Sequence, residues 1–334
     1  MSELREQLLA YLGEQLPGAS DLQIENLRRM PEGWSRECFS FVLHWTEGGE
    51  RRSQELILRR DPAGSLVYTE REVEAAVLRA LHAAGLPVPK VWCLSTDGEP
   101  LGAPFMIMER VRGTSSPGVL YAEENRENRK KIGVQFVEYL ARLHTVDWTG
   151  MDLPFAADPP TTETAADRVL DHWERTMAEQ RLEPQPFLTQ ALRWLRANKP
   201  EAPRVSLLHG DYRTGNFLFE GDRITGIVDW ELAALGDPLE DLGWAFKELW
   251  KHEGRICGFF DREEFLARYE EASGIPVDRE AMRYWEMFAE FKHTVIGLTG
   301  IRTSCDRLTD EINFALTHLY LPPLQHEQAK VMGI

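Results

Sequence analysis

The residue pattern predicts an α+β fold in two lobes. A small lobe of sheet plus helix is expected over residues 1–109, and a larger α-rich lobe over residues 110–334. Three observations carry this. Residues 22–60 read as strand, hairpin and strand, a short-period pattern bounded by turn residues. From residue 129 onward the apolar residues mostly recur at helical spacing. Inside that helical part, Asp211 and Asp229 sit at the ends of short apolar runs with Asn216 between them.

A chain of 334 residues can bury a large core and is expected to make two domains or one bilobed unit. Its 43% hydrophobic and 28% charged residues are ordinary for a globular protein. No apolar run approaches the roughly 20 residues that span a bilayer. The N-terminal MSELREQLLAYLGEQL alternates charge with leucine and lacks a signal-peptide core, so a cytoplasmic protein is expected. Cys38, Cys93, Cys257 and Cys305 show no C-x-x-C spacing and read as reduced, buried thiols. A net charge of −16 argues against nucleic acid and anionic membranes as partners. The same field would favour a cationic small molecule, although many soluble proteins are simply acidic. Nothing in the sequence speaks to oligomeric state.

Leucines at 4, 8, 12 and 16 make one stripe of an amphipathic helix, ended by PGAS and Asp21. LQIENLRRM, ECFSFVLHW and ELILRR then read as strands, separated by turns at PEGWSR and TEGGERR. In ELILRR, Leu56 and Leu58 share one face while Ile57 and Arg59 share the other. YTEREVEAAVLRALHAAG is a helix with Val73, Val77, Leu78 and Leu81 on its apolar face, capped by Gly85 and followed by Pro87. LPVPKVWCL and GAPFMIMERVRG give two more strands, the apolar PFMIM fitting a buried one. RKKIGVQFVEYLARLHTVDW is helical, and His144 and Asp147 at its end are read as structural supports rather than a catalytic pair. A Pro-rich connection at 151–162 precedes helices over 164–180 and 186–197. Helices near 238–252, 261–273, 278–300 and 306–320 complete the chain.

The central stretch, LLHGDYRTGNFLFEGDRITGIVDWELAALGDPLEDLGW, carries the chemistry. Asp211 and Asn216 have D-x-x-x-x-N spacing, and Asp229 closes the strand-like run ITGIVDW. A carboxylate can accept the proton of a hydroxyl, and a second Asp with a neutral Asn oxygen are hard ligands suited to Mg²⁺. LLHGDYRTGNFLF followed by GIVDWELAALGDPLEDL resembles the catalytic (Brenner-type) and metal-binding motifs of the aminoglycoside phosphotransferase-like kinases. That family includes choline, homoserine and macrolide kinases. With HGD for the protein-kinase HRD and DWE for DFG, the likeness is to small-molecule kinases. It spans roughly residues 22–300. The ELILRR strand end, GAPFMIME and RLHTVDW draw it nearest the branch related to the kinase-like domain of some acyl-CoA dehydrogenases.

This resemblance implies a protein-kinase-like fold and a set of roles. Asp211 would be the catalytic base, and Asn216 and Asp229 would hold Mg²⁺. Arg59 would meet the α- and β-phosphates of ATP or GTP, oriented by Glu74, with Glu72 as second choice. Gly33 and Ser35 would lie in a reduced phosphate-covering loop, which departs from G-x-G-x-x-G. Met108, Glu109, Arg110 and Val111 would form the hinge that meets the base. His209 is expected to fix the catalytic loop, Asp241 to brace it, and Asp237 to cap the helix that begins at Pro238. Arg213 is open between a phosphate or substrate contact and a surface arginine. The implied activity is transfer of a γ-phosphoryl group to a hydroxyl of a small molecule, aminoglycoside-like, hydroxyacyl-CoA-like or other. A catalytically silent nucleotide-binding sensor or adaptor is the alternative, favoured by the missing glycines of the first turn. A metal-dependent hydrolase using His209, Asp211 and Asp229 lacks a third nearby ligand.

Overall fold

A computed structural model describes residues 1–30, 37–60, 71–309 and 312–333. Helix α1 (Ser2–Gln15) places Leu4, Leu8 and Leu12 in register every fourth residue, and all three are buried. Strands β1 (Ala19–Arg29), β2 (Glu37–Glu47) and β3 (Glu50–Arg60) follow. The β2–β3 hairpin pairs Glu47 with Glu50 across Gly48 and Gly49, both at positive φ, as a two-residue turn requires. Helix α2 (Arg71–Ala83) comes next, then β4 (Val91–Ser95) and β5 (Phe105–Glu109). The five strands form one antiparallel sheet in the order β1-β2-β3-β5-β4.

Alternation along β3 separates two environments. Leu56 and Leu58 are fully buried in a core with Leu8, Leu12, Phe41 and Ile107. Ile57 and Arg59 face the opposite side, as their spacing predicts. On that side Val77, Leu78 and Leu81 of α2 join Met106 and Met108 in a second core, which continues into the C-terminal part of the chain.

The C-terminal part is mostly helical: α3 (Pro117–Tyr121), α4 (Arg126–Thr145), α5 (Ala165–Gln180) and α6 (Pro186–Ala197). Four short strands then interrupt it, β6 (Ser206–Leu208), β7 (Phe217–Glu220), β8 (Arg223–Ile227) and β9 (Ala234–Gly236), with β6 paired to β9 and β7 to β8. Helices α7 (Leu239–Ala245), α8 (Arg262–Ser273), α9 (Arg279–Cys305), α10 (Ile312–Leu316) and α11 (Leu321–Met332) finish the fold. Helix α9, with Trp285, Phe288 and Phe291 fully buried, is the axis against which α5, α6, α7 and α11 pack.

Three expectations are corrected. The helix expected to reach residue 252 stops at Ala245, because Lys247 turns extended (φ −53, ψ 140) and sends its ammonium to Glu290 Oε2 at 2.5 Å. The helix expected over 306–320 is broken, and α11 follows it with Pro322 and Pro323 in its first turn, where a missing N–H costs nothing. Cys93 and Cys257 are buried, but Cys305 is exposed. Among the described residues no helix is long and apolar enough to cross a membrane.

Candidate active site

The loop between β6 and β7 carries His209, Gly210, Asp211 and Asn216, and its backbone is held from behind. Asp241, in the first turn of α7, accepts the His209 N–H at 2.8 Å on Oδ2 and the Gly210 N–H at 2.7 Å on Oδ1. His144 Nε2 lies 3.1 Å from the same Asp241 Oδ2, and its Nδ1 lies 2.7 Å from the Tyr269 hydroxyl. Burial acts to raise the Asp241 pKa, but the His144 hydrogen bond and the nearby imidazoles outweigh it and hold the carboxyl below its ordinary value. Gly210 sits at φ +81, and a Cβ there would lie 2.3 Å from the Leu232 carbonyl oxygen, so only glycine fits. The Gly210 carbonyl accepts from Lys292 Nζ at 2.8 Å, and that buried ammonium also meets Glu240 at 3.1 Å.

His209 is fixed in one tautomer. Its Nδ1 accepts the Asp211 N–H at 3.1 Å, which leaves the Nε2–H to donate to the Val228 carbonyl at 2.9 Å. Burial lowers its pKa against the pull of Asp241 and Asp211. With both ring nitrogens engaged and the ring neutral, His209 has no lone pair to offer a substrate. His144 supports the loop as expected. Asp147 does not: it is at the surface, accepting from the Thr149 N–H and hydroxyl.

The Asp211 carboxylate is surrounded by donors. Its Oδ1 accepts from Arg213 Nε at 2.9 Å and from Trp244 Nε1 at 2.5 Å. Among the described residues its Oδ2 accepts from Asn216 Nδ2 alone, at 2.5 Å. That same Nδ2 reaches the Asp211 carbonyl at 2.9 Å. Both partners of the Asn216 amide nitrogen are acceptors, so its orientation follows from chemistry and its Oδ1 is the oxygen left over. The Val228 N–H donates to the Asn216 carbonyl at 2.9 Å, tying this loop to the turn that carries Asp229.

Strand β8 ends at Ile227, and Asp229 follows in the left-handed conformation at φ +64, with its side chain 46% exposed. Non-glycine residues at such angles are uncommon and mark a backbone held by its surroundings. Asp229 Oδ1 lies 3.7 Å from Arg59 Nη2, whose Nη1 donates to Glu74 Oε1 at 2.7 Å. Arg71 holds the other Glu74 oxygen at 2.5 Å. Burial acts against the charge of Arg59, but Glu74 and Asp229 more than offset it and the guanidinium stays charged.

A cleft of about 680 Å³ opens between the sheet and the helical part, bounded by Ser40, Ile57, Arg110, Val111 and Leu218. Val111 lines it, whereas Met108 and Glu109 lie in the strand that leads to it. The Glu109 and Arg110 N–H groups are already donated to the Lys90 and Glu55 carbonyls. Gly33 and Ser35 lie outside the described residues. A second cavity, about 490 Å³, lies beyond the catalytic loop between Val73 of α2, Trp173 of α5 and residues 231–235, with Glu240 and Lys292 in its wall.

The structure thus gathers Arg59, Glu74 and Asp229 into one charge cluster and links Asn216 to Asp211. Two contributors were not anticipated in their roles. Trp244 lies three residues past Asp241 on α7, so it faces the same loop. Lys292 is a lone cation in the apolar run of α9, a signal for a buried, paired charge.

Residues 27–285 match the APH phosphotransferase enzyme family. The chain belongs to that family. It is 30% identical over 285 residues to acyl-CoA dehydrogenase family member 11 of Rattus norvegicus, covering 82% of this chain and 34% of that one. The chain therefore spans about a third of the length of that relative. It is 28% identical over 270 residues to aminoglycoside 3'-phosphotransferase of Streptomyces fradiae, covering 75% of this chain and 91% of that one. Among solved structures, a Ralstonia eutropha protein provisionally named as an aminoglycoside phosphotransferase matches with a TM-score of 0.74 and 22% identity, over 98% and 97% of the two chains. Aminoglycoside phosphotransferase APH(4)-Ia, in its ternary complex with AMP-PNP and hygromycin B, matches at 0.58 and 18%, over 98% and 99%. The fold is the bilobed kinase-like fold of these enzymes, and the family supports phosphotransfer to a small molecule in general.

Proposed function

We propose that this chain transfers the γ-phosphoryl group of ATP or GTP to a hydroxyl of a small molecule. The observation that carries the reading is the state of Asp211. Trp244 and Arg213 occupy both lone-pair directions of Oδ1, and Asn216 takes one of Oδ2, so Oδ2 keeps one acceptor site. A substrate hydroxyl donating to that site would have its oxygen aimed and its proton accepted as it attacks. His209 is engaged on both ring nitrogens, which leaves the base role to Asp211.

The donor set fits Mg²⁺. Asn216 Oδ1 and the half-exposed Asp229 carboxylate are hard oxygens of the kind Mg²⁺ prefers, and these two side chains would hold it. Bound there, the ion would neutralise charge on the phosphates. Arg59, held by Glu74, would orient the phosphates from the sheet side, and the Val111 cleft would take the base. The complex of APH(4)-Ia with AMP-PNP supports nucleotide use by this fold. The acyl-CoA dehydrogenase relatives leave room for a silent domain, which turnover distinguishes.

The test is Mg²⁺-dependent ADP or GDP release against aminoglycosides, macrolides, choline, homoserine and hydroxyacyl thioesters. Release stimulated by one acceptor, and reduced about 10²- to 10⁴-fold in Asp211→Asn, is expected. Nucleotide binding without turnover on any acceptor would favour the silent alternative.

A further inference from the structure

Arg213 meets the Asp211 carboxylate in an incomplete geometry. A guanidinium facing a carboxylate tends to form a fork, with parallel N–H donations to both oxygens. Here Arg213 Nε donates to Oδ1 at 2.9 Å and Nη1 turns to the Thr214 carbonyl at 3.1 Å. Nη2 makes no hydrogen bond among the described residues. A completed fork would close Oδ2, the oxygen that keeps an acceptor site. What lies against the guanidinium instead is an indole: Arg213 Cζ sits 4.5 Å from the centre of the Trp250 ring.

Trp250 reaches this place because α7 stops short. In an unbroken helix it would stand six residues beyond Trp244, about 240° round the axis and away from the loop. The extended Lys247 ends the helix, and Trp250 closes the short turn Glu248–Trp250 with its N–H on the Lys247 carbonyl at 3.0 Å. Its ring lies 6.2 Å from that of Trp244 and 5.9 Å from that of His293, nearly parallel to the latter. His293 in turn lies 5.5 Å from Trp244, so the three rings brace one another. Burial, helped by the charges of Lys247 and Arg213, pushes the His293 imidazole down to about 3 and keeps that ring neutral. Trp250 Nε1 is buried with no hydrogen-bond partner among the described residues. The residue therefore acts through its ring face, which attracts a guanidinium, and not through its N–H.

We infer that Trp250 is a positioning residue: by holding Arg213 against its ring, it keeps the guanidinium on Oδ1 alone and leaves Asp211 Oδ2 open to the acceptor hydroxyl. That Oδ2 serves a hydroxyl rests on the phosphotransfer reading; that Trp250 sets the place of Arg213 does not.

Full-length Trp250→Leu, Trp250→Phe, Arg213→Gln and the Trp250→Leu/Arg213→Gln double variant test it, with melting curves to check folding. Trp250→Met replaces Trp250→Leu if the latter does not fold. The first readout is the ¹⁵N arginine side-chain spectrum without ligand. The Arg213 Nε–H resonance, identified by its loss in Arg213→Gln, should be shielded by the indole and exchange slowly with water. Trp250→Leu should abolish the shielding and speed the exchange about tenfold. Trp250→Phe, which keeps a ring face and drops only the unpartnered N–H, should retain most of both. The second readout is turnover with an acceptor that supports it. Trp250→Leu should lower kcat about tenfold with nucleotide KM unchanged, Trp250→Phe should restore it, and the Arg213→Gln background should show no further fall. The inference is overturned if folded Trp250→Leu leaves the Arg213 resonance or kcat unchanged, or if Trp250→Phe fails as Trp250→Leu does. An equal fall in kcat in the Arg213→Gln background would overturn it too, since Trp250 would then act independently of Arg213. The expected spectral changes with no turnover on any acceptor would keep the placement of Arg213 by Trp250 and sink the phosphotransfer reading.

Discussion

At the scale of single residues, the site depends on hydrogen bonds that only certain side chains supply. Trp244 is the plainest case, because its indole N–H is one of two donors on Asp211 Oδ1. Trp244→Phe keeps the packing and removes the donor, and hydrogen bonds to charged groups contribute about 1.5–3 kcal/mol. A fall in kcat of about 10- to 100-fold with nucleotide affinity unchanged is expected from steady-state kinetics. Glu74→Gln should act differently, by loosening Arg59 from its bidentate setting between Glu74 and Asp229. The KM for nucleotide should rise about tenfold or more, while the KM for acceptor stays put. That Asp211 would pair with Asn216, and that Arg59 would lie beside Glu74 and Asp229, was legible because phosphotransfer chemistry would want those residue types together. Trp244 was not, since a tryptophan at helical spacing reads first as core, and the Glu109 and Arg110 amides turn out to be engaged within the sheet edge.

At the scale of elements, the catalytic loop is shaped by helices rather than by its own sequence. Asp241 of α7 grips two loop amides, Lys292 of α9 grips a carbonyl, and Gly210 supplies the backbone angle between them. Gly210→Ala would force a Cβ into the Leu232 carbonyl, and a loss of about 1–3 kcal/mol with near-complete loss of turnover is expected from denaturation and activity assays. The start of α7 also carries a pH signature. Asp237 Oδ1 accepts the Leu239 N–H and Oδ2 the Trp285 indole N–H, both at 2.9 Å, yet burial pushes its carboxyl up to about 7. Between the ordinary carboxylate pKa and about 7 the folded chain holds a proton that the unfolded chain has released. Stability contributed here therefore falls as pH rises through that window. Asp237→Asn should flatten this part of the melting-temperature profile; an unchanged slope would contradict the assignment. Helix positions such as α5 and α6 were readable from period alone. The stop at Ala245 was not, because it depends on Lys247 finding Glu290 some forty positions away, a long-range pairing that local spacing does not encode.

At the scale of the whole molecule, two cavities flank one charged seam. The cleft at Val111 is lined by Ile57 and Leu218, two residues from Arg59 and Asn216, and the cavity over Trp173 by Glu231, two residues from Asp229. The core that runs from α2 into the helical part includes Val77 and Leu78, on the same helix as Glu74. Lys292→Met should therefore report at this scale: it frees the Gly210 carbonyl and leaves Glu240 buried without its cation. A cost of about 3 kcal/mol or more in unfolding free energy is expected, with acceptor KM affected more than nucleotide KM. The two-lobe architecture was legible from the change of period alone. The cavity over Trp173 was not, because its walls come from α2, α5, α9 and the segment after Asp229, which only the fold brings together.

The most direct measurement is phosphorus NMR of the wild-type chain with Mg²⁺, ATP and a hydroxyl acceptor that binds. A phosphomonoester resonance growing in step with ADP, and absent with Asp229→Asn, is the result expected. Release of inorganic phosphate alone, or an undiminished phosphomonoester signal from Asp229→Asn, would contradict the assignment of this site as a phosphotransfer centre.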